Sequence, residues 1–299
     1  MHIFVTGASG FVGRATLADL ISHGHEVSGL ARNDASADKV TQQGAKVVRG
    51  GLEDLDAIKK AAQASDAVLH LAFIHDFSSP EAIAKSNAAD RKLIAAVGEA
   101  LSGSNKPFVI AAGTLGLPRG QLATEDSEPN REGPMAERQQ AADMLFSMSK
   151  ENSFKGILVR FPPTVHGKGD QGFITMLGNI AKKNGFVTYI NDGATRWPAT
   201  HRNDVASMLR LAVEKGTAGA SYHAVAEEGV PMKDIMTAVG SKLQLPVQSK
   251  SPEEGQALLG FFGHVVGADN PTSSEKSRKA LGWQPTHPGL VEDITQSYF

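Results

Sequence analysis

The residues Thr6-Gly7-Ala8-Ser9-Gly10-Phe11-Val12-Gly13 lie between a short apolar run, Ile3–Thr6, and a segment with helical periodicity, Phe11–His23. In such a strand–turn–helix unit the first glycine permits the tight turn. The second lets the backbone approach a phosphate, and the third lets the helix pack on the strand. The start of the helix offers free N–H groups and the positive end of a dipole. The sequence therefore predicts a dinucleotide-binding turn.

Short apolar runs alternate with segments of helical spacing in the first half of the chain. The runs are Ile3–Thr6, Glu26–Leu30, Lys46–Val48, Ala67–Leu71, Phe108–Ala111 and Ile157–Phe161. Because they lack polar alternation, they indicate strands buried on both faces. With helical segments such as Asp54–Ala64 and Glu81–Leu101 between them, they predict an α/β fold with a Rossmann doubly wound parallel sheet.

The alternation ends at Pro162-Pro163, since proline cannot donate to a strand ladder. The following stretch, 167–200, is rich in Gly, Asn and Asp. We expect residues 1–165, with 200–225 returning to them, to form the nucleotide-binding domain. Residues 166–199 and 226–299 are expected to form a smaller C-terminal α+β substrate lobe. The elements expected after residue 165 are strands Phe186–Ile190 and Ser221–Ala226 and helices Asn203–Lys215 and Met232–Leu245.

Composition narrows the possible functions of this 299-residue chain. It has no cysteine, which excludes disulfides and thiolate chemistry, and a formal charge of −2, which gives no reason to expect a nucleic-acid partner. No run of eighteen apolar residues and no signal-peptide pattern occurs, so we expect a cytoplasmic protein without a membrane partner. We expect a small-molecule substrate, no metal site, and a monomer or homodimer.

The glycine spacing resembles that of the short-chain dehydrogenase/reductase superfamily, and within it the extended group called the NAD-dependent epimerase/dehydratase family. Further similar segments are His70-Leu71-Ala72, Asn87 in a helix, Arg160–Gly167, Trp197–Ala206 and Leu281-Gly282-Trp283-Gln284-Pro285. The resemblance covers nearly the whole chain. With the glycine turn, it implies that the cofactor is bound by Gly7, Ser9, Gly10, Phe11, Val12, Gly13, Leu71, Ala72, Phe73 and Pro162.

The end of the second predicted strand favours NADP(H) over NAD(H). An NAD-preferring site places a carboxylate there for the ribose 2′-hydroxyl, whereas this chain has Arg32 followed by Asn33. A guanidinium can stack on adenine and donate to a 2′-phosphate, and Asn33 adds a neutral donor. Arg14 is a possible second cation, and Asp34 is expected to face solvent. The alternative is that Arg32 is an ordinary solvated arginine.

The catalytic signature of the family is absent. Its chemistry uses a tyrosine and, four residues later, a lysine, but none of Tyr189, Tyr222 and Tyr298 has that lysine. The two positions are expected at Met135 and Gln139. The resemblance is therefore to atypical extended reductases.

Other groups must then handle the proton. The candidates are Thr114 after the fifth strand, His75 and His201 as acids near neutral pH, and Arg138 as a substrate- or cofactor-binding cation. His166 lies on the same sheet edge. Each also has a structural reading: a turn residue for Thr114, satisfied histidines, and a solvated helix arginine.

Three functions remain open on the sequence alone. The first is an NADP(H)-dependent oxidoreductase acting on a small carbonyl or hydroxyl compound. The second is a catalytically inactive NADP(H)-binding sensor or regulator, which the absent pair favours. The third is a nucleotide-sugar epimerase or dehydratase, ranked last because those reactions normally also use the tyrosine and lysine.

Overall fold

The computed structural model describes residues 1–76, 79–132 and 136–299. Its strands are β1 (His2–Thr6), β2 (Glu26–Ala31), β3 (Lys46–Arg49), β4 (Ala67–His70), β5 (Pro107–Gly113), β6 (Lys155–Phe161), β7 (Thr164–His166), β8 (Val187–Ile190), β9 (Arg196–His201), β10 (Ser221–His223), β11 (Glu227–Pro231) and β12 (Val247–Lys250). Its helices are α1 (Phe11–Ser22), α2 (Asp34–Thr41), α3 (Leu55–Gln63), α4 (Pro80–Ala100), α5 (Ala136–Asn152), α6 (Phe173–Asn184), α7 (Arg202–Lys215), α8 (Met232–Leu243), α9 (Pro252–Leu259), α10 (Phe261–Val266), α11 (Glu275–Leu281) and α12 (Leu290–Ser297).

The central sheet has the strand order β10-β6-β5-β4-β1-β2-β3, and every pairing in it is parallel. Successive side chains of β1 enter opposite cores, as a period of two requires. Ile3 and Val5 join the core under α1 and α7, while Phe4 joins the core under α3, α4 and α5. The predicted α/β class and doubly wound parallel sheet are therefore confirmed.

A further hydrophobic core gathers residues from 174–199 and 230–298. This core includes residues of two small sheets, which have the strand orders β11-β9-β7 and β12-β8. The sequence analysis missed α6 and β9 here. Pro198 argues against a strand, because proline lacks an N–H for the ladder. In the structure β9 is nevertheless the middle strand of its sheet, and the Pro198 carbonyl accepts a 2.5 Å hydrogen bond from the Thr164 hydroxyl.

The parallel arrangement brings the carboxyl ends of β1, β4, β5 and β6 to one edge of the sheet, which is where ligands bind in doubly wound folds. Most predicted site residues follow these ends. Within the described ranges, no helix is long and apolar enough to cross a membrane.

Candidate functional site

The turn after β1 requires its glycines for steric reasons. Gly7 has φ +70°, and a Cβ there would lie 2.7 Å from the backbone nitrogen of Ala72. A Cβ on Gly13 would overlap the carbonyl oxygen of Gly7. The Gly10 N–H donates to that same oxygen at 2.9 Å. The turn therefore packs directly against the loop after β4 and against its own helix.

The start of α1 has the features of an anion site. Its N-cap, Gly10, provides no side-chain cap, and its first turn has no acidic residue, so the first N–H groups stay available. Two arginines stand nearby: Arg202 lies over the Phe11 ring at 5.1 Å, and burial together with the charge of Arg14 lowers the pKa of Arg202. The Nε atoms of Arg14 and Arg202 are buried without a partner in the described structure. These residues fit a pyrophosphate.

The end of β2 presents Arg32 to solvent. Within the described ranges its guanidinium has no ion pair or side-chain hydrogen bond. Asn33 is the N-cap of α2, accepting 2.9 Å from the Ser36 N–H, so its side-chain oxygen is already used. Asp34 is exposed, as expected, and pairs with Arg49 at 2.8 Å. The exposed Arg32 is free to meet a phosphate.

Leu71 and Ala72, two further predicted cofactor residues, lie beside this turn. The Leu71 N–H donates to the Thr6 carbonyl at 3.2 Å, and the Ala72 N–H lies 3.4 Å from the Thr6 hydroxyl. Pro162 is buried between β6 and β7. A wide surface groove of about 640 Å³ beside β3 contains none of the predicted site residues, being lined by Arg49, Gly50, Glu53, Asp54, Leu55, Asp56 and Ala57.

A buried polar chain links the turn to α5. The Thr6 hydroxyl lies 2.6 Å from His70 Nδ1, and His70 Nε2 lies 3.0 Å from Asp90 Oδ1. The other Asp90 oxygen accepts from Arg138 Nη1 at 2.6 Å. Burial raises the pKa of Asp90, but the His70 hydrogen bond and the Arg138 charge outweigh it and hold that pKa below its usual range. Asp90 is therefore an ionised anchor for Arg138.

Arg138 and His75, two of the four predicted catalytic candidates, come together at the edge of the sheet. Arg138 also donates to the Ala111 carbonyl at 2.8 Å, and its Cζ lies 4.1 Å from the centre of the Phe73 ring. The His75 ring meets Phe73 edge-on at 5.3 Å. Part of His75 is exposed, yet surrounding protein removes enough water to lower its pKa, and Arg138 lowers it further.

Thr114 directly follows β5, and its side chain makes a structural contact. It is fully buried, and its hydroxyl donates to Asn270 Oδ1 at 2.9 Å, while Asn270 Nδ2 donates back to the Thr114 carbonyl at 3.1 Å. The hydroxyl is thus engaged in a contact between β5 and the 269–277 segment. Its role in catalysis stays a prediction, and this geometry does not favour it.

His201 belongs to a separate group of histidines. Its ring stacks on His287 at 4.7 Å and meets His166 edge-on at 5.5 Å. Burial, followed by the neighbouring His166 and His287, lowers the pKa of His201 to about 4. Its imidazolium is therefore scarce at neutral pH. His166 is buried and bonds Asp293 at 2.8 Å through Nδ1. Acid catalysis by His201 stays a prediction.

The region of the absent tyrosine–lysine pair is only partly described. Met135, expected at the tyrosine position, lies outside the described residues. Gln139, expected at the lysine position, donates to Asp143 at 3.0 Å and accepts from Arg160 at 3.4 Å. Arg138, one residue earlier, supplies a cation on the same helix.

Sequence reasoning did not single out His70 and Asp90 as partners. The available signal was a carboxylate at a buried position of α4, following a histidine that ends a buried strand. Sequence does not show that α4 packs so that Asp90 lies 3.0 Å from His70, which depends on the tertiary fold. In the described part of the chain, no group of three or more His, Asp or Glu is arranged to hold a metal.

The comparisons with known proteins agree with this geometry. The model of the NAD dependent epimerase/dehydratase family matches residues 3–226. An uncharacterized protein of Saccharomyces cerevisiae is 43% identical over 300 residues, covering 100% of this chain and 99% of that protein. The chain therefore belongs to the NAD dependent epimerase/dehydratase family, whose relatives include oxidoreductases and epimerases.

Two further similarities carry functional names. A 4-hydroxy-2-methyl-3-oxo-4-farnesyl-3,4-dihydroquinoline-1-oxide ketoreductase of Stigmatella aurantiaca is 23% identical, over 99% of this chain and 96% of that protein. The structure of UDP-glucuronic acid 4-epimerase from Bacillus cereus, in complex with UDP-glucuronic acid and NAD, matches with a TM-score of 0.80 at 18% identity, covering 100% and 98% of the two chains. At 18% identity, the similarity to the epimerase structure shows only that the two folds agree.

Proposed function

We propose that this protein is an NADP(H)-dependent reductase of a small carbonyl compound. The observation that carries the proposal is the meeting of His75, Phe73 and the anchored Arg138 at the ligand-binding edge, beside the phosphate turn. The ketoreductase name of the Stigmatella relative supports carbonyl reduction.

NADP(H) is proposed over NAD(H) because Arg32 stands exposed and unpaired, within the described ranges, where an NAD site needs a carboxylate. Arg14 and Arg202 at the start of α1 would hold the pyrophosphate. Leu71, Ala72, Phe73 and Pro162 would line the remaining cofactor surface. When bound, the cofactor supplies the hydride.

Residues of the chain would then stabilise the negative charge that develops on the substrate oxygen and donate a proton to it. Arg138, fixed by Asp90 and the Ala111 carbonyl, places a cation where the nicotinamide ribose or the substrate oxygen would lie. His75 would give its proton to that oxygen as negative charge develops there. Because its pKa is lowered, we expect this acid to work best below neutral pH.

The decisive experiment follows NADPH oxidation over a panel of ketones and aldehydes with the wild type, His75→Asn and Arg138→Lys. We expect turnover in the wild type and a loss of roughly a hundredfold or more in His75→Asn, the range of general acid catalysis. Arg138→Lys should keep part of the activity, because it retains the charge. Full activity in His75→Asn would remove that residue from the mechanism.

A second candidate function, a protein that binds NADP(H) without catalysis, is favoured by one observation. The absent tyrosine and lysine favour a sensor or regulator that holds NADP(H) without turning it over. Tight NADPH binding together with no oxidation on any carbonyl of the panel would favour this alternative over the reductase. A nucleotide-sugar epimerase or dehydratase ranks third for the same reason. Because those reactions consume no net NADPH, incubation with UDP-glucuronic acid and UDP-glucose, followed by chromatography for an epimer or a dehydrated sugar, tests it directly.

A further inference from the structure

Arg160 is a buried cation without a carboxylate in contact. It lies in β6 and is only 4% exposed. Within the described ranges it makes one hydrogen bond, 3.4 Å from Nη2 to the neutral side-chain oxygen of Gln139, and no ion pair. Burying a guanidinium is costly unless a partner neutralises it and occupies its donors. A guanidinium has five N–H donors, and the only hydrogen bond described for this one is the 3.4 Å contact with Gln139.

Charges near Arg160 do not supply that partner. Burial lowers the pKa of Arg160, and Asp143 and Glu128 oppose this from a distance. Asp143 is already engaged with Arg131 and Gln139, while Glu128 is exposed and screened by water. The guanidinium therefore has N–H donors and a positive charge that no protein group described in contact with it uses.

Arg160 lies near the edge of the sheet at which ligands bind in doubly wound folds. In the sheet it pairs with Ala112 of β5 on one side and His223 of β10 on the other, near the carboxyl ends of all three strands. Its contact, Gln139, follows Arg138 on α5. Arg160 thus lies one strand further along the same edge than the Arg138–His75 group.

Two buried polar atoms near this end of the sheet have no partner in the described structure. His223 is fully buried and its Nδ1 donates to the Ser273 carbonyl at 2.8 Å, so Nε2 of the neutral ring is an acceptor, and it is unpartnered in the described structure. Oε2 of Glu125 is likewise buried and unpartnered there. Arg160 and Glu125 act on the pKa of His223 in opposite directions, which places all three within electrostatic range.

We infer that Arg160 binds a carboxylate of the substrate, so that the compound reduced is a small oxo acid. This rests on the proposed reductase function. A planar carboxylate matches the guanidinium fork with two parallel hydrogen bonds. A phosphate fits less well, because its second negative charge would meet no second cation beside Arg160 among the described residues.

The test compares acids with their methyl esters: acetoacetate, 2-methylacetoacetate and 3-oxooctanoate. Calorimetry on the NADP⁺-bound protein measures binding without turnover. We expect at least one acid to bind tenfold or more tightly than its ester. Arg160→Met should remove that preference, while NADPH affinity changes less than twofold. Gln139→Glu, which sets a carboxylate against Arg160, should weaken acid binding without removing a buried cation.

The outcomes separate this inference from the reductase proposal. Acid-selective binding that depends on Arg160, with no NADPH oxidation, would support the carboxylate site and count against reduction. Reduction of ketones with equal binding of acids and esters would overturn the carboxylate site. If Arg160→Met does not fold, Gln139→Glu decides: an unchanged acid-to-ester ratio contradicts the inference.

Discussion

Arg32 is the residue on which cofactor choice depends. Its side chain is exposed at the end of β2, and the neighbouring Asp34 is occupied by Arg49. A hydrogen bond to a charged group contributes about 1.5–3 kcal/mol, which corresponds to roughly a 10- to 150-fold change in affinity. We expect Arg32→Glu to weaken NADPH binding by that factor and NADH binding much less, measured by fluorescence titration.

The control for this prediction is a substitution that removes a different positive charge. Lys39→Ala removes a cation that is exposed on α2, away from the ribose position. It should leave both affinities within about twofold, because exposed charges at a distance are screened by salt. Equal losses of NADPH and NADH affinity in Arg32→Glu would refute the NADP(H) assignment.

His75 gives a prediction about pH. Desolvation and the charge of Arg138 disfavour its imidazolium, so its pKa lies below the ordinary 6.5. The proton needed for carbonyl reduction is present below that pKa and is lost as pH rises through it. We expect kcat/KM for the best ketone to fall with rising pH, with a midpoint below 6.5.

The matched variants are His75→Asn, which should flatten this pH dependence, and His23→Asn, which should retain it. His23 lies at the C-terminal end of α1, and its side chain is 48% exposed. A midpoint unchanged in His75→Asn would assign the titration to another group.

At the scale of elements, the glycine turn and α1 form one packed unit. A methyl group on Gly13 would overlap the Gly7 carbonyl and approach the Ala8 backbone, neither of which can rotate away. Overpacking of this kind costs about 1–3 kcal/mol. We expect Gly13→Ala to lower the free energy of unfolding in urea by that amount and to weaken NADPH binding.

Gly113→Ala is the control for that substitution. A Cβ there meets nothing closer than 4.0 Å, and its φ is not left-handed. It should therefore change stability by less than about 1 kcal/mol, the usual range for substitutions without a named packing conflict. Similar losses for both variants would show that the close approach at Gly13 is unimportant.

The elements that sequence predicted well are those with one dominant signal. The strands β1, β2, β4 and β6 are short, mostly apolar segments that are buried along most of their length, a pattern that favours strands in a covered parallel sheet. The short helix α2 escaped notice because its start depends on Asn33, which sequence reasoning assigned to the cofactor. The Asn33 side chain can cap a helix and still lie near a ligand, and sequence alone does not show which of these two roles it has.

At the scale of the whole molecule, the contacts of the predicted site residues join segments that are remote in sequence. His75 and Arg138 were predicted separately, and the structure joins them through Phe73. The Asp90 anchor and the Thr114–Asn270 contact join residues 48 and 156 positions apart. No local pattern encodes such a pairing, because it arises only when the sheet register and the packing of the C-terminal segments are set.

The Thr114–Asn270 contact yields a prediction that separates architecture from catalysis. The two side chains exchange hydrogen bonds in a buried place, linking β5 to the 269–277 segment. Removing one partner leaves a buried polar group unsatisfied, at about 1–3 kcal/mol. We expect Thr114→Val and Asn270→Ala each to lose that much unfolding free energy. Thr114→Ser, which keeps the hydroxyl, should lose less.

A double-mutant cycle in urea then measures the coupling between the two residues. Because the second substitution removes a group already deprived of its partner, the double variant should be less destabilised than the sum of the single variants, by at least 0.5 kcal/mol, the level seen for contacting residues. Thr114→Val should also retain NADPH affinity. If Thr114→Val instead keeps full stability and loses ketone reduction while Thr114→Ser preserves it, the hydroxyl acts on the substrate, and the catalytic role expected from sequence is restored.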